Sequence, residues 1–130
     1  MLLDTQNLFS DNQAITTGTI NSTNVVRFGK GDISYVPIII QVTKSFTNLT
    51  SLTVKIQTSA DSTFATAVDL AQSTMLLADL TAGAVFPLTY LPKGNKGYIR
   101  LTYTGAGTTE TTGTITAGVV AGLDREIKEI

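Results

Sequence analysis

The side chains of this chain that could do chemistry are carboxylates, and three of them, Asp61, Asp69 and Asp79, fall in one loop-rich third. Converging carboxylates can ligate a hard cation or form the acid pair of a glycosidase. Their spacing matches no compact calcium loop, and Asp61 in Ser59-Ala60-Asp61-Ser62 reads instead as an Asx-type turn, a short acceptor that bonds nearby backbone. The chain has no His and no Cys. Ser-His-Asp and Cys-His triads are thereby excluded, together with nitrogen or sulfur ligation of zinc. Gly29-Lys30-Gly31 and Gly105-Ala106-Gly107 lie between strands with no helix following, so they read as tight turns and not as phosphate cradles. Tyr98 and Tyr103 flank Arg100 and suggest a stacking site for sugar or peptide, yet their opposite parity puts the two rings on opposite sheet faces. No catalytic residue, metal site or cofactor is expected; the product is a surface, not a reaction.

The elements that hold those residues are strands. Ser51-Leu52-Thr53-Val54-Lys55-Ile56-Gln57-Thr58 alternates cleanly, with Leu52, Val54 and Ile56 inward. Tyr98 to Thr104 alternates as well, with Ile99, Leu101 and Tyr103 inward, and Gly113 to Val119 resumes the pattern. The two together read as a β-hairpin joined by a Thr/Gly-rich turn. Ala14 to Ile20 is a weak Thr-rich strand, and Asn24 to Phe28 a second one closed by a turn at Gly29-Lys30-Gly31-Asp32. Val36 to Thr43 is apolar on both faces at its centre, as in a strand covered from two sides, with Pro37 at its start or at an edge. Phe64 re-enters the core after the turn at Ser59 to Ser62. Ala67 to Leu80 fits a short helical turn or two short strands, and strand with loop is the preferred reading. Val85 to Leu91 is a strand weakened by Pro87 and so placed at a sheet edge.

Eight or so short strands at near-regular spacing, without a long helix, predict an all-β fold: a single antiparallel β-sandwich of jelly-roll type. The expected organisation is an extended N-terminal arm at 1–12, a sandwich domain at 13–123 and a charged C-terminal tail at 124–130. In the arm, Leu2, Leu3, Leu8 and Phe9 follow no period that would fold them onto their own domain, which marks them as contacts for a partner. The tail holds five of the chain's nineteen charged side chains. It reads either as a solvated terminus or as a docking segment that presents Ile127 and Ile130.

Composition narrows the partners. At 130 residues the chain makes one domain of ordinary size, and only 15% of it is charged against a usual share of about 25%. Its surface must therefore be built from Thr, Ser, Asn, Gln and Gly. A formal net charge of −1 supplies no field for a phosphate backbone or an anionic membrane, so neither nucleic acid nor membrane is an expected partner. The first residues lack the basic and apolar regions of a signal peptide, which leads to the expectation of synthesis in a cytoplasm.

Three segments carry a resemblance. Asp4-Thr5-Gln6-Asn7-Leu8-Phe9-Ser10-Asp11-Asn12-Gln13-Ala14, then Ser51 to Phe64, then Tyr98-Ile99-Arg100-Leu101-Thr102-Tyr103 with Gly113-Thr114-Ile115-Thr116-Ala117-Gly118, resemble in matching order the Bbp16-like capsid cement, or decoration, proteins of tailed bacteriophages. The similarity runs from about Asp4 to Leu123, and the charged tail beyond it departs from the family pattern. The resemblance implies a small β-sandwich that oligomerises, as dimer or trimer, on the outer surface of a virion made in a bacterial cytoplasm. There it would bridge adjacent subunits of the major capsid protein. The alternative on the same fold is a non-catalytic carbohydrate-binding module, which usually presents several exposed aromatics on one face; this chain is 7% aromatic and has no Trp.

Overall fold

The structure, a computed structural model, describes residues 3–15, 18–28, 36–107 and 113–120; for 3–7 it describes the backbone alone. Its strands are β1 (Leu3–Ala14), β2 (Gly18–Asn21), β3 (Val26–Arg27), β4 (Ile38–Lys44), β5 (Ser51–Ser59), β6 (Val68–Leu76), β7 (Tyr98–Ala106) and β8 (Thr114–Val120), with one 3-10 turn at Leu77–Asp79. All pairings are antiparallel and form two sheets. The smaller has the order β1-β8-β4; the larger has the order β2-β7-β5-β6, with β3 also paired to β7. The fold is an all-β sandwich.

Alternation builds the core from both sheets. Leu52, Val54 and Ile56 of β5 and Ile99, Leu101 and Tyr103 of β7 meet Ile38, Ile40 and Val42 of β4, Ile115 and Ala117 of β8, and Phe9 of β1. Removing so much apolar surface from water is the main favourable term in folding. Phe46, Leu80 and Phe86 complete the same cluster. Gly113, just before β8, is required by close approach: a Cβ built there would lie 2.5 Å from the Phe46 ring.

Several expectations hold, among them the β5 parity; Phe64 is buried, but beneath Arg100 on the outer face of the larger sheet and not in the cluster between the sheets. The ambiguous stretch after Ala67 is strand β6 followed by the 3-10 turn. Residues 83–91 lie along β4 at the sheet edge, as expected, but form isolated bridges at Val85 and Tyr90 and not the strand read from the sequence. Gly83 N and Phe86 N donate to Val42 O and Ile40 O, Val42 N and Ile38 N donate to Ala84 O and Thr89 O, and Leu91 N donates to Val36 O.

Two further expectations are corrected. Tyr98 to Gly118 is not a hairpin: β7 belongs to the larger sheet and β8 to the smaller, so the chain crosses the sandwich between them. Period-two alternation shows that each strand is half-buried, but it does not choose the strand's partner. The N-terminal segment is not a free arm either. It runs as β1 along β8, with Leu3 opposite Val120 and Ala14 opposite Thr114, and the register shifts three times between them. Those irregularities erase the period in the sequence, because each one moves the following side chains off strict alternation.

Candidate interaction surface

The outer face of the larger sheet is built from side chains of opposite parity to the core, and strand register arranges them in rows. One row is all threonine: Thr19 of β2, Thr104 of β7, Thr53 of β5 and Thr74 of β6 are successive cross-strand partners. Neighbouring strands are spaced about 4.7–4.9 Å apart, close enough for hydroxyls to bond directly. Thr19 and Thr104 do so at 3.2 Å, and Thr53 and Thr74 at 2.8 Å. The next row is Asn21, Thr102, Lys55 and Gln72. β-Branched threonine suits this position, stiff at χ1 and well fitted to a pleated surface.

Gln57 organises the following row. Its Nε2 donates to Asp69 Oδ1 at 2.7 Å, while its Oε1 accepts from Arg100 Nε at 3.0 Å and from Thr102 Oγ1 at 2.9 Å. Lys55 Nζ lies 3.5 Å from Asp69 Oδ2. The Gln57 bond, and after it the Lys55 charge, hold the Asp69 carboxyl below the ordinary aspartate value. The Arg100 guanidinium sits 4.4 Å above the centroid of Phe64, a cation–π contact that anchors the loop after β5 to this face. Among the described residues no buried side-chain nitrogen or oxygen lacks a hydrogen-bond partner. The result is a face rich in hydroxyl and amide groups, several of which are already held in place by one another.

The carboxylates do not converge. Asp61 follows the end of β5, where it accepts from Ser59 Oγ at 2.6 Å and from Thr63 Oγ1 at 2.9 Å. Those bonds, Ser59 first, lower its pKa. Asp79 lies in the 3-10 turn that follows β6 beside the start of β5, at the opposite end of that strand from Asp61, where Leu77 N donates to Thr50 O. Among the described residues no group of three or more His, Cys, Asp or Glu side chains could hold a metal ion. Tyr103 is fully buried and Tyr98 half-buried on the opposite face, so they form no shared platform.

Of the residues expected to contact a partner, Phe9 is a correction: it is fully buried in the core of its own domain, held there by the β1–β8 ladder. Leu8 is half-buried opposite Gly118, and on the far side of Gly118 stands Ile39, itself buried. Leu2, Ile127, Ile130 and the side chain of Leu3 lie outside the described residues, as does Gly29-Lys30-Gly31. The threonine row and the Gln57 network are not apparent from the sequence. The outward parity of Thr53, Thr102 and Thr104 is legible, but their alignment across strands depends on register.

The Bbp16 family model matches the chain over residues 9–121. No curated protein matches it.

Proposed function

This chain belongs to the phage-related Bbp16 family, and we propose on that premise that it is a capsid cement, or decoration, protein. In this reading it attaches to the outer surface of the head, associates with its own copies and bridges adjacent subunits of the major capsid protein. It works without catalytic turnover, as a clamp on a shell under pressure from packaged DNA. Many copies holding modest interfaces at once give an avidity that no single contact supplies.

The observation that carries the reading is the family match across most of the chain. The outer face of the larger sheet is a suitable docking surface: rich in hydroxyl and amide groups, and partly fixed by the Gln57 network before any partner arrives. Binding to a pre-organised face spends less free energy on ordering side chains. The test is to mix the purified protein with undecorated capsids of the same phage and image them. Ordered density outside the shell, at positions bridging capsid subunits, is the expected result. Bare capsids that remain competent for other assembly steps would sink the proposal.

A further inference from the structure

A β-sandwich has four sheet edges, and in this molecule three are closed by the chain itself. Residues 83–91 cover β4. The β1 edge and the β2–β3 edge are stitched together: Asn24 N and Nδ2 donate to Phe9 O and Leu8 O, Gln13 Nε2 donates to Asn21 O, and Thr23 N donates to Gln13 Oε1. The fourth edge is β6. Among the described residues its backbone groups bond only toward β5.

From Ala71 to Leu76 this edge carries none of the usual guards. Natural edge strands are blunted by lysine, proline, shortness or bulges. The one irregularity of β6 falls opposite Ile56 and Gln57, which leaves Ala71 to Leu76 in unbroken register with β5. Ala71-Gln72-Ser73-Thr74-Met75-Leu76 contains neither a charge nor a proline. Leu77 N donates to Thr50 O at the next step of the same register. By the alternation of an antiparallel ladder, Ser73 and Met75 then bond β5, while the N–H and C=O groups of Gln72, Thr74 and Leu76 point away from it. Among the described residues Leu76 is also the most exposed large apolar side chain, at 61%.

We infer that β6 is a self-association edge: two copies pair antiparallel through Gln72–Leu76 about a two-fold axis at Thr74. A second copy is the occupant that fits. The axis places Thr74 against its own counterpart and joins the two threonine rows end to end, and Thr–Thr cross-strand pairs are favourable. It sets Gln72 of each copy beside Leu76 of the other and covers that exposed side chain twice. No like charges meet along the paired stretch. The interface is isologous and closed, so it makes a dimer and not a fibre. A five-residue ladder buries less than the roughly 1,200 Å² of a stable complex, so the free dimer is weak, in the micromolar range or above. The use of the edge to link copies on a shell rests on the capsid reading; the pairing itself does not.

Sedimentation velocity of the full chain over rising concentration tests the pairing. The expected result is a reversible dimer, weakened about tenfold or more by the pair Gln72→Lys with Leu76→Lys and restored by Gln72→Glu with Leu76→Lys, because residues 72 and 76 oppose each other across the axis. Thr74→Cys should oxidise to a covalent dimer, since facing Cα atoms lie about 5.5 Å apart. Thr19→Cys, at the far end of the same row, should not. Melting curves establish that each variant is folded. A chain that stays monomeric at the highest concentration, or a dimer indifferent to both charge pairs and to Thr74→Cys, overturns the inference. Capsid-bound copies whose β6 edges lie apart would also overturn it while leaving the capsid role standing. A solution dimer without capsid density would do the reverse.

Discussion

Tyr103 reaches from β7 across the core to Ser10 on β1, and the direction of that bond decides what each substitution costs. Ser10 Oγ donates to Gln13 Oε1 at 2.6 Å, so at 2.7 Å the Tyr103 hydroxyl donates to Ser10 Oγ. Burial pushes the Tyr103 hydroxyl pKa up, and the Ser10 bond offsets part of that. Tyr103→Phe leaves Ser10 bonded to Gln13 and should cost about 1 kcal/mol, whereas Ser10→Ala strands a buried phenol and should cost about 1–3 kcal/mol. Chemical denaturation of the two variants checks the order, and a reversed order would show that the phenol finds another acceptor. Asp61 in the turn after β5 and Asp69 on the outer face both have folded-state pKa values below the ordinary one. Their stabilising contribution is therefore present above the unfolded value of about 3.9 and is lost as pH falls through the lower folded values. Melting temperature should drop below about pH 4, and Asp69→Asn should flatten part of that slope.

β1 is the element whose role depends most on tertiary pairing. Its backbone forms one edge of the smaller sheet, and Phe9 fills the core. Phe9→Ala should cost about 3–5 kcal/mol, a large part of the roughly 5–15 kcal/mol that holds a domain of this kind together. Deletion of residues 1–12 should accordingly unfold the monomer rather than merely weaken its association. A truncated chain with an unchanged melting temperature would contradict that. Gly113→Ala forces a methyl against the Phe46 ring and should cost about 1–3 kcal/mol by overpacking. The parity of β5 was legible because every second residue from Leu52 to Ile56 is apolar. The neighbours of β7 and β8 were not, because two alternating strands in sequence look the same whether they pair with each other or face each other across a core.

For the whole molecule, near-neutrality is the governing property. With a net charge of −1 and an outer face on which Lys55 is paired with Asp69, the proposed attachment to a shell should rest on hydroxyl and amide contacts and copy number. Bound copies should then survive a rise to about 0.5 M salt, where the screening length falls to roughly 4 Å. Release of most copies over that range would point to charge-steered clamping instead. Cryo-EM occupancy across a salt series provides the measurement.

Composition and alternation suffice for an all-β sandwich with no triad and no thiolate chemistry, because residue types and period-two burial are local properties that survive without knowledge of partners. The three segments around Leu8–Phe9, Ser51–Phe64 and Tyr98–Gly118 likewise carry the family resemblance. Register is not local. Whether Phe9 is a contact or a core residue, whether β7 pairs β8, whether four threonines form one row and which edge stays open all depend on distant strands meeting in space. Many pairings satisfy the same alternation, and the packing of both sheets against a single core selects among them.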